Sequence, residues 1–181
     1  VLLGQRLDRV AAIAENAAKL VNDGESIYLD GGSTVLSMCE YLSSKKNLSI
    51  VTNSLMAASE LMEAGHKLFI VGGRFRPLSR TIVGALTEKT LCAMSFDKAF
   101  LGTIGVSEEG ISTTDPDEAY TKELVMKRAD MVVLLADVSK FGKNSLSLSG
   151  SFWDIDVIVS DRSLPANFAR LCKKQNIKMI F

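Results

Sequence analysis

The chain has 181 residues, 47% of them hydrophobic and 23% charged, the balance of one folded domain with its own core rather than of a disordered segment. Its 21 basic side chains are matched by 21 acidic ones, so the basic excess of a nucleic-acid-binding domain is missing and direct DNA binding by this segment is not expected. A single histidine, His66, and three scattered cysteines, Cys39, Cys92 and Cys172, leave little for a zinc site, a disulfide framework or a hydrolase triad.

The cysteines sit in apolar, helical-looking stretches and read as reduced core residues of a cytoplasmic protein. No metal and no cofactor is expected. The longest apolar runs, such as residues 131–136, are far too short to span a membrane, and residues 1–9 lack a signal-peptide pattern. Val1 is not an initiator methionine, which points to a segment cut from a longer chain.

In chain order, Val10, Ile13, Ala14, Ala17, Ala18 and Val21 fall on helical spacing and predict a helix over 8–22, stopped by Asp23-Gly24. A buried strand over 26–29, a turn at Asp30-Gly31-Gly32 and a helix over 33–42 with Ser33 as its N-cap follow. The beat repeats as a strand over 48–52, a helix over 54–63 and a strand over 67–71 closed by Gly72-Gly73. After a basic loop over 74–80 come a helix over 87–94 and a strand over 98–101 running into Gly102 and Gly105. A helix over 118–128, strands over 131–135 and 156–159, a helix over 165–174 and an edge strand over 178–181 complete the pattern. Apolar strands alternating with amphipathic helices predict an α/β fold, a mostly parallel, Rossmann-like sheet with helices on both faces.

In such a sheet ligands bind beyond the carboxyl ends of the strands. The segments there are Asp30-Gly31-Gly32-Ser33-Thr34, Thr52-Asn53-Ser54, Gly72-Gly73-Arg74, Gly102 to Gly105, and the loop from Asp137 to Gly142 that carries Lys140. The DGGST segment has the parts of an anion cradle, two glycines that expose backbone N–H groups and two hydroxyls at a helix N-terminus; the alternative is a tight turn with a Ser cap. It lacks the lysine of a nucleotide-binding P-loop and is no GxGxxG fingerprint. Asp30 would accept from a sugar hydroxyl or from local N–H groups. Lys140 is either a phosphate partner or a solvated lysine. Glu118 and Lys122, four apart, read as a surface helix ion pair, and Asp115, Asp117 and Glu118 suit the start of their helix. Arg74, Arg76 and Arg80 make a basic loop open to an anionic ligand, a partner subunit or solvent. His66 caps or decorates a helix end.

The order and spacing of IYLDGGST, VTNSLMAASEL, VGGRFR with Gly84 beyond it, FDKAFLGTIGV, DEAYTKELVMKRAD and VLLADVSKFGKNS over residues 11–161 resemble the C-terminal sensor domain of DeoR-family transcriptional regulators. The resemblance implies a fold similar to ribose-5-phosphate isomerase, glucosamine-6-phosphate deaminase and CoA transferases. It also implies a phosphorylated sugar effector at the strand rim, with the DGGST segment on the phosphate and Asn53, Lys122 and Lys140 near the ligand. In this reading residues 1–10 are a linker remnant and the start of the first helix, and residues 11–181 are the sensor domain. The winged helix-turn-helix that reads operator DNA in the family has no counterpart in these residues. A homo-oligomer is expected and a membrane partner is not. The rival readings are a sugar-phosphate isomerase or deaminase with Asp30, Glu118 or Asp137 as base, and an oligomerisation module with a vestigial pocket.

Overall fold

The computed structural model describes residues 2–181, with side chains from residue 7 onward; Val1 of the expected linker remnant lies outside the described residues. In chain order the elements are α1 (Leu2–Ala18), β1 (Ser26–Leu29), α2 (Ser33–Leu42), β2 (Ser49–Thr52), α3 (Leu55–Leu61), β3 (Lys67–Ile70), β4 (Arg74–Arg76), β5 (Thr81–Val83), α4 (Ala85–Cys92), β6 (Phe96–Gly102), β7 (Gly105–Val106), β8 (Gly110–Thr113), α5 (Pro116–Met126), β9 (Ala129–Leu135), β10 (Ser147–Ser151), β11 (Val157–Val159), α6 (Ala166–Lys174) and β12 (Lys178–Ile180).

Seven strands form one parallel sheet in the order β12-β11-β9-β6-β1-β2-β3. The chain starts at β1, builds outward through β2 and β3, then returns to the other side of β1 with β6. The switch in direction therefore lies between β1 and β6, and the crevice beyond their carboxyl ends is where this topology opens a site. α1, α2 and α3 cover one face, burying Ile13, Ala17, Met38 and Leu61 against Ile27, Ile50 and Phe100. α4, α5 and α6 cover the other, with Leu91, Val125 and Phe168 against Tyr28, Ala99 and Leu134. Burial of each large apolar side chain contributes about 1.5–3 kcal/mol before the cost of ordering it, and both faces of β1 and β6 are sealed this way.

The parallel α/β expectation holds, and the differences are local. The first helix runs from Leu2 and ends at Ala18, and the turn behind it is closed by Asn22, whose N–H and amide both donate to Glu25. Residues 74–80 are not a plain loop, because β4 and β5 pair as an antiparallel hairpin. A three-stranded antiparallel sheet, β10-β8-β7, went unread; its strands are short and carry Gly, Ser and Thr in place of an apolar alternation. Cys39 and Cys172 are buried as expected, with burial pushing their thiols up to about 12 and about 11, but Cys92 is exposed at the end of α4 and is not a core residue.

Candidate functional site

A cavity of about 450 Å³ opens beyond the carboxyl ends of β1, β6 and β9, between the DGGST segment, the β4–β5 hairpin, the start of α5 and the loop after β9. At one end lies the N-terminal turn of α2. Gly32 occupies the N-cap in the left-handed region (φ 121°), and no side chain caps the helix, so the free N–H groups of its first turn are left for solvent or a ligand. Ser33 is the first helical residue and not the cap expected of it. Gly31 allows the close packing here, since a Cβ on it would collide with the buried methyl group of Thr81. Lys140 reaches the same cavity from a short 3₁₀ turn, Val138–Lys140, capped by Asp137, whose carboxylate accepts from the Ser139 N–H at 3.0 Å.

Asp30 and Lys122 form a buried ion pair at the cavity. Asp30 Oδ2 also accepts from the Gly102 N–H (3.0 Å), and Lys122 Nζ donates to the Gly102 carbonyl (3.0 Å). Together they tie the ends of β1 and β6 to α5. Burial raises the Asp30 carboxyl above its ordinary value, with Lys122 and the Gly102 N–H pulling the other way. The surface pair between Glu118 and Lys122 does not form: the sheet presents Asp30 to Lys122, and Glu118 turns elsewhere.

The opposite end is a closed polar network. Glu118 accepts from the hydroxyls of Thr81 (3.0 Å) and Thr113 (3.2 Å) and from Arg76 (3.4 Å). Arg76 also meets Asp115 at 3.1 Å. Asp115 in turn caps α5 by accepting from the N–H groups of Asp117 and Glu118, both at 3.0 Å, with Pro116 at the first helical position. Burial would raise the Asp115 carboxyl, but these N–H groups and Arg76 outweigh it and hold the carboxyl below its ordinary value. Asn53 lies on the cavity wall, its amide donating to the Ile82 carbonyl (3.1 Å) while its own buried oxygen has no partner among the described residues.

Of the residues singled out from the sequence, Asp30, Gly31, Gly32, Ser33, Thr34, Asn53, Ser54, Gly102, Glu118, Lys122 and Lys140 line the cavity. Thr52, Gly72, Gly73, Arg74 and Gly105 do not. Thr52 is buried beneath the rim, its hydroxyl donating to Leu29 and accepting from the Ser54 N–H. The Gly72 carbonyl accepts from Thr87, and Gly73, at φ 151°, lets the chain pass against that side chain. Arg74 is exposed and pairs with Asp117. Gly105 packs against the backbone of Lys143. Arg76, Thr81, Thr103 and Thr113 also line the cavity; the sequence put Arg76 in the basic loop with nothing to separate it from Arg74 and Thr103 in the rim segment from Gly102 to Gly105, and it passed over Thr81 and Thr113. His66 accepts a role at a helix end, its Nε2 lying 3.0 Å from the carbonyl of Leu42, the last residue of α2. Among the described residues no group of three or more His, Cys, Asp or Glu is placed to hold a metal, and no helix is long and apolar enough to cross a membrane.

Residues 6–162 match the family described as the DeoR C terminal sensor domain. The chain belongs to this family. The chain is 38% identical over 150 residues to an HTH-type transcriptional regulator, FruR, of Bacillus subtilis, covering 82% of this chain and 60% of that one. It is 34% identical over 164 residues to the HTH-type transcriptional regulator GlpR of Haloferax volcanii, covering 90% and 64%. This sensor domain thus spans less than two thirds of the length of either relative. Among solved structures, ribose 5-phosphate isomerase A of Methanocaldococcus jannaschii superposes with a TM-score of 0.53 at 22% identity over 74% of this chain and 54% of that one. The eIF2B delta subunit of Chaetomium thermophilum gives 0.63 at 15% over 86% and 56%. These two likenesses are of fold.

Proposed function

We propose that the cavity binds a sugar monophosphate, with the phosphate at the first turn of α2 and Lys140, and the sugar hydroxyls toward Asp30, Lys122 and Asn53. The observation that carries this reading is a charge census. Arg76 is engaged by Asp115 and Glu118, and Lys122 by Asp30, which leaves Lys140 as the cavity cation without an acidic partner among the described residues. It stands with an uncapped helix N-terminus, and the two together suit a single phosphate dianion. In the longer protein the ligand would favour one conformation of this domain and so change the population able to grip operator DNA through a helix-turn-helix, in the cytoplasm and as a homo-oligomer. The names of the relatives, HTH-type regulators and repressors, support that role.

The likeness to ribose 5-phosphate isomerase favours a second reading, turnover of the bound sugar. Against it, two of the three cavity carboxylates that could serve as base are bound to cations, Asp30 to Lys122 and Glu118 to Arg76, and the third, Asp137, caps the Val138–Lys140 turn by accepting from the Ser139 N–H. A thermal-shift screen of sugar phosphates, the parent sugars and inorganic phosphate decides between them when paired with a turnover assay. The expected result is a rise in melting temperature with one or a few sugar phosphates, growing with the logarithm of concentration, and no product. Product formation would establish the enzyme; no shift from any sugar phosphate would overturn the site.

A further inference from the structure

Just beyond the carboxyl end of β11, Asp161 buries its carboxylate between two other segments; the side chain is 3% exposed and does not line the cavity. Oδ1 accepts from the Val138 N–H at 2.8 Å and from the Ser160 hydroxyl at 3.5 Å. Val138 is the first residue of the 3₁₀ turn that ends at Lys140. Oδ2 lies 3.7 Å from Arg9 Nε on α1 and 3.8 Å from Arg162 Nε. One carboxylate therefore joins the turn that carries Lys140 to the first half of α1.

The two oxygens are held differently. Oδ1 is fixed by a short bond to a backbone N–H. Oδ2 has two arginines beside it, each at ion-pair range but beyond hydrogen-bond distance. Their side chains are 44% and 59% exposed, so either can approach or withdraw at little cost, and a buried carboxylate gains from whichever closes on it. A small displacement of α1 decides between them. Val10 supplies one, because it follows Arg9 in α1 and lines the cavity: a ligand that fills the cavity packs against the same turn of helix that holds the arginine. We infer that Asp161 is a positioning residue through which occupancy of the cavity is passed to α1, an inference that rests on the sugar-phosphate reading for its ligand. A phosphate on Lys140 fixes the Val138–Lys140 turn and, through it, Asp161 Oδ1. The body of the ligand on Val10 holds the first half of α1 at the cavity, and Oδ2 closes on Arg9. Without those two holds Oδ2 is shared with Arg162. The effect is reciprocal, since a ligand that favours the docked helix binds more tightly when the helix is docked. The family is described as a C terminal sensor domain, so in its regulators the rest of the chain enters through α1, and fixing this helix sets the orientation of what precedes it.

Hydrogen-exchange mass spectrometry of the intact 181-residue chain tests it, with pentose and hexose monophosphates and inorganic phosphate as probes. In the wild type a bound sugar monophosphate should slow exchange at the first turn of α2, which it touches, and also at residues 8–13 of α1, there by about five-fold, the low end of common couplings between sites. Asp161→Asn keeps an oxygen for the Val138 N–H and removes the charge that attracts Arg9. Arg9→Met removes the cation at a half-exposed position outside the cavity. Both variants should retain the slowing at α2 and lose most of it at α1. By reciprocity Arg9→Met should also weaken sugar-monophosphate binding by about five-fold in calorimetric titrations, although Arg9 does not reach the cavity. Slowing at α2 without any at α1 in the wild type would overturn the inference and keep the site. Slowing at α1 that survives both variants would overturn the part given to Asp161, leaving contact at Val10 as the whole effect. No slowing anywhere with any probe would remove the site and this inference with it.

Discussion

The two ends of the cavity are built from similar parts and left in opposite states. At the α5 end every charge is answered: Glu118 is held by Thr81, Thr113 and Arg76, Arg76 is shared with Asp115, and Asp115 is spent on the helix cap. At the α2 end the helix has no side-chain cap and Lys140 has no acidic partner among the described residues. Buried polar groups that satisfy one another rigidify a wall, whereas groups left open hold their free energy for whatever completes them. The closed end therefore reads as scaffold and the open end as the place of binding. The Asp30–Lys122 pair sits between them and joins three elements that the cavity needs in register.

The largest effect should come from breaking that middle pair. Lys122→Met strands the buried Asp30 carboxylate and is expected to cost about 3–5 kcal/mol of stability, and adding Asp30→Asn should recover part of the loss; chemical denaturation of the two variants measures both steps. Breaking the open end should leave the fold alone. Lys140→Ala is expected to weaken sugar-phosphate binding by about 1.5–3 kcal/mol, the worth of a hydrogen bond to a charged group, while binding of the parent sugar is little changed; equal losses for both ligands in calorimetric titrations would refute the phosphate role.

The close packing at Gly31 ties the two ends together. Gly31→Ala should cost about 1–3 kcal/mol through its collision with the Thr81 methyl group. Gly31→Ala with Thr81→Ser removes that methyl while keeping the hydroxyl that Glu118 accepts from, and is expected to restore most of the loss in thermal melts.

The smallest effect lies away from the cavity, where Asp97 Oδ2 accepts from both the N–H and the hydroxyl of Ser26 at 2.7 Å and is held below its ordinary value of 3.8. A carboxyl lowered by folding contributes stability that is present above its ordinary value and is lost as pH falls through the folded one. The gap between wild type and Asp97→Asn should therefore narrow as pH drops from neutral to below 3.8; a gap independent of pH would show that the charge of Asp97 plays no part.

The contrast between the two ends also marks how far the sequence could be read. The open end was legible because its signals are local: a strand of SIYL, two glycines, two hydroxyl residues and a helix lie in one run, and Lys140 follows the apolar strand of β9. The parallel sheet was legible for the same reason, since each βα unit carries its own periodicity. The closed end was not, because its partners are far apart in the chain. Helical spacing offers Lys122 a neighbour at Glu118, but only the register of β1 against β6 puts Asp30 beside it. Arg74 and Arg76 look alike in sequence; the β4–β5 hairpin leaves one exposed beside Asp117 and buries the other between Asp115 and Glu118. Ser33 looked like a cap because Ser commonly caps, yet the left-handed Gly32 takes that position.

A crystal structure of the domain with the sugar phosphate that gives the largest thermal shift tests the central claim most directly. The phosphate should lie within hydrogen-bond distance of the first-turn N–H groups of α2 and of Lys140 Nζ, with the Asp115–Arg76–Glu118 network unchanged. A phosphate seated instead on Arg76, with that network opened to receive it, would contradict the account.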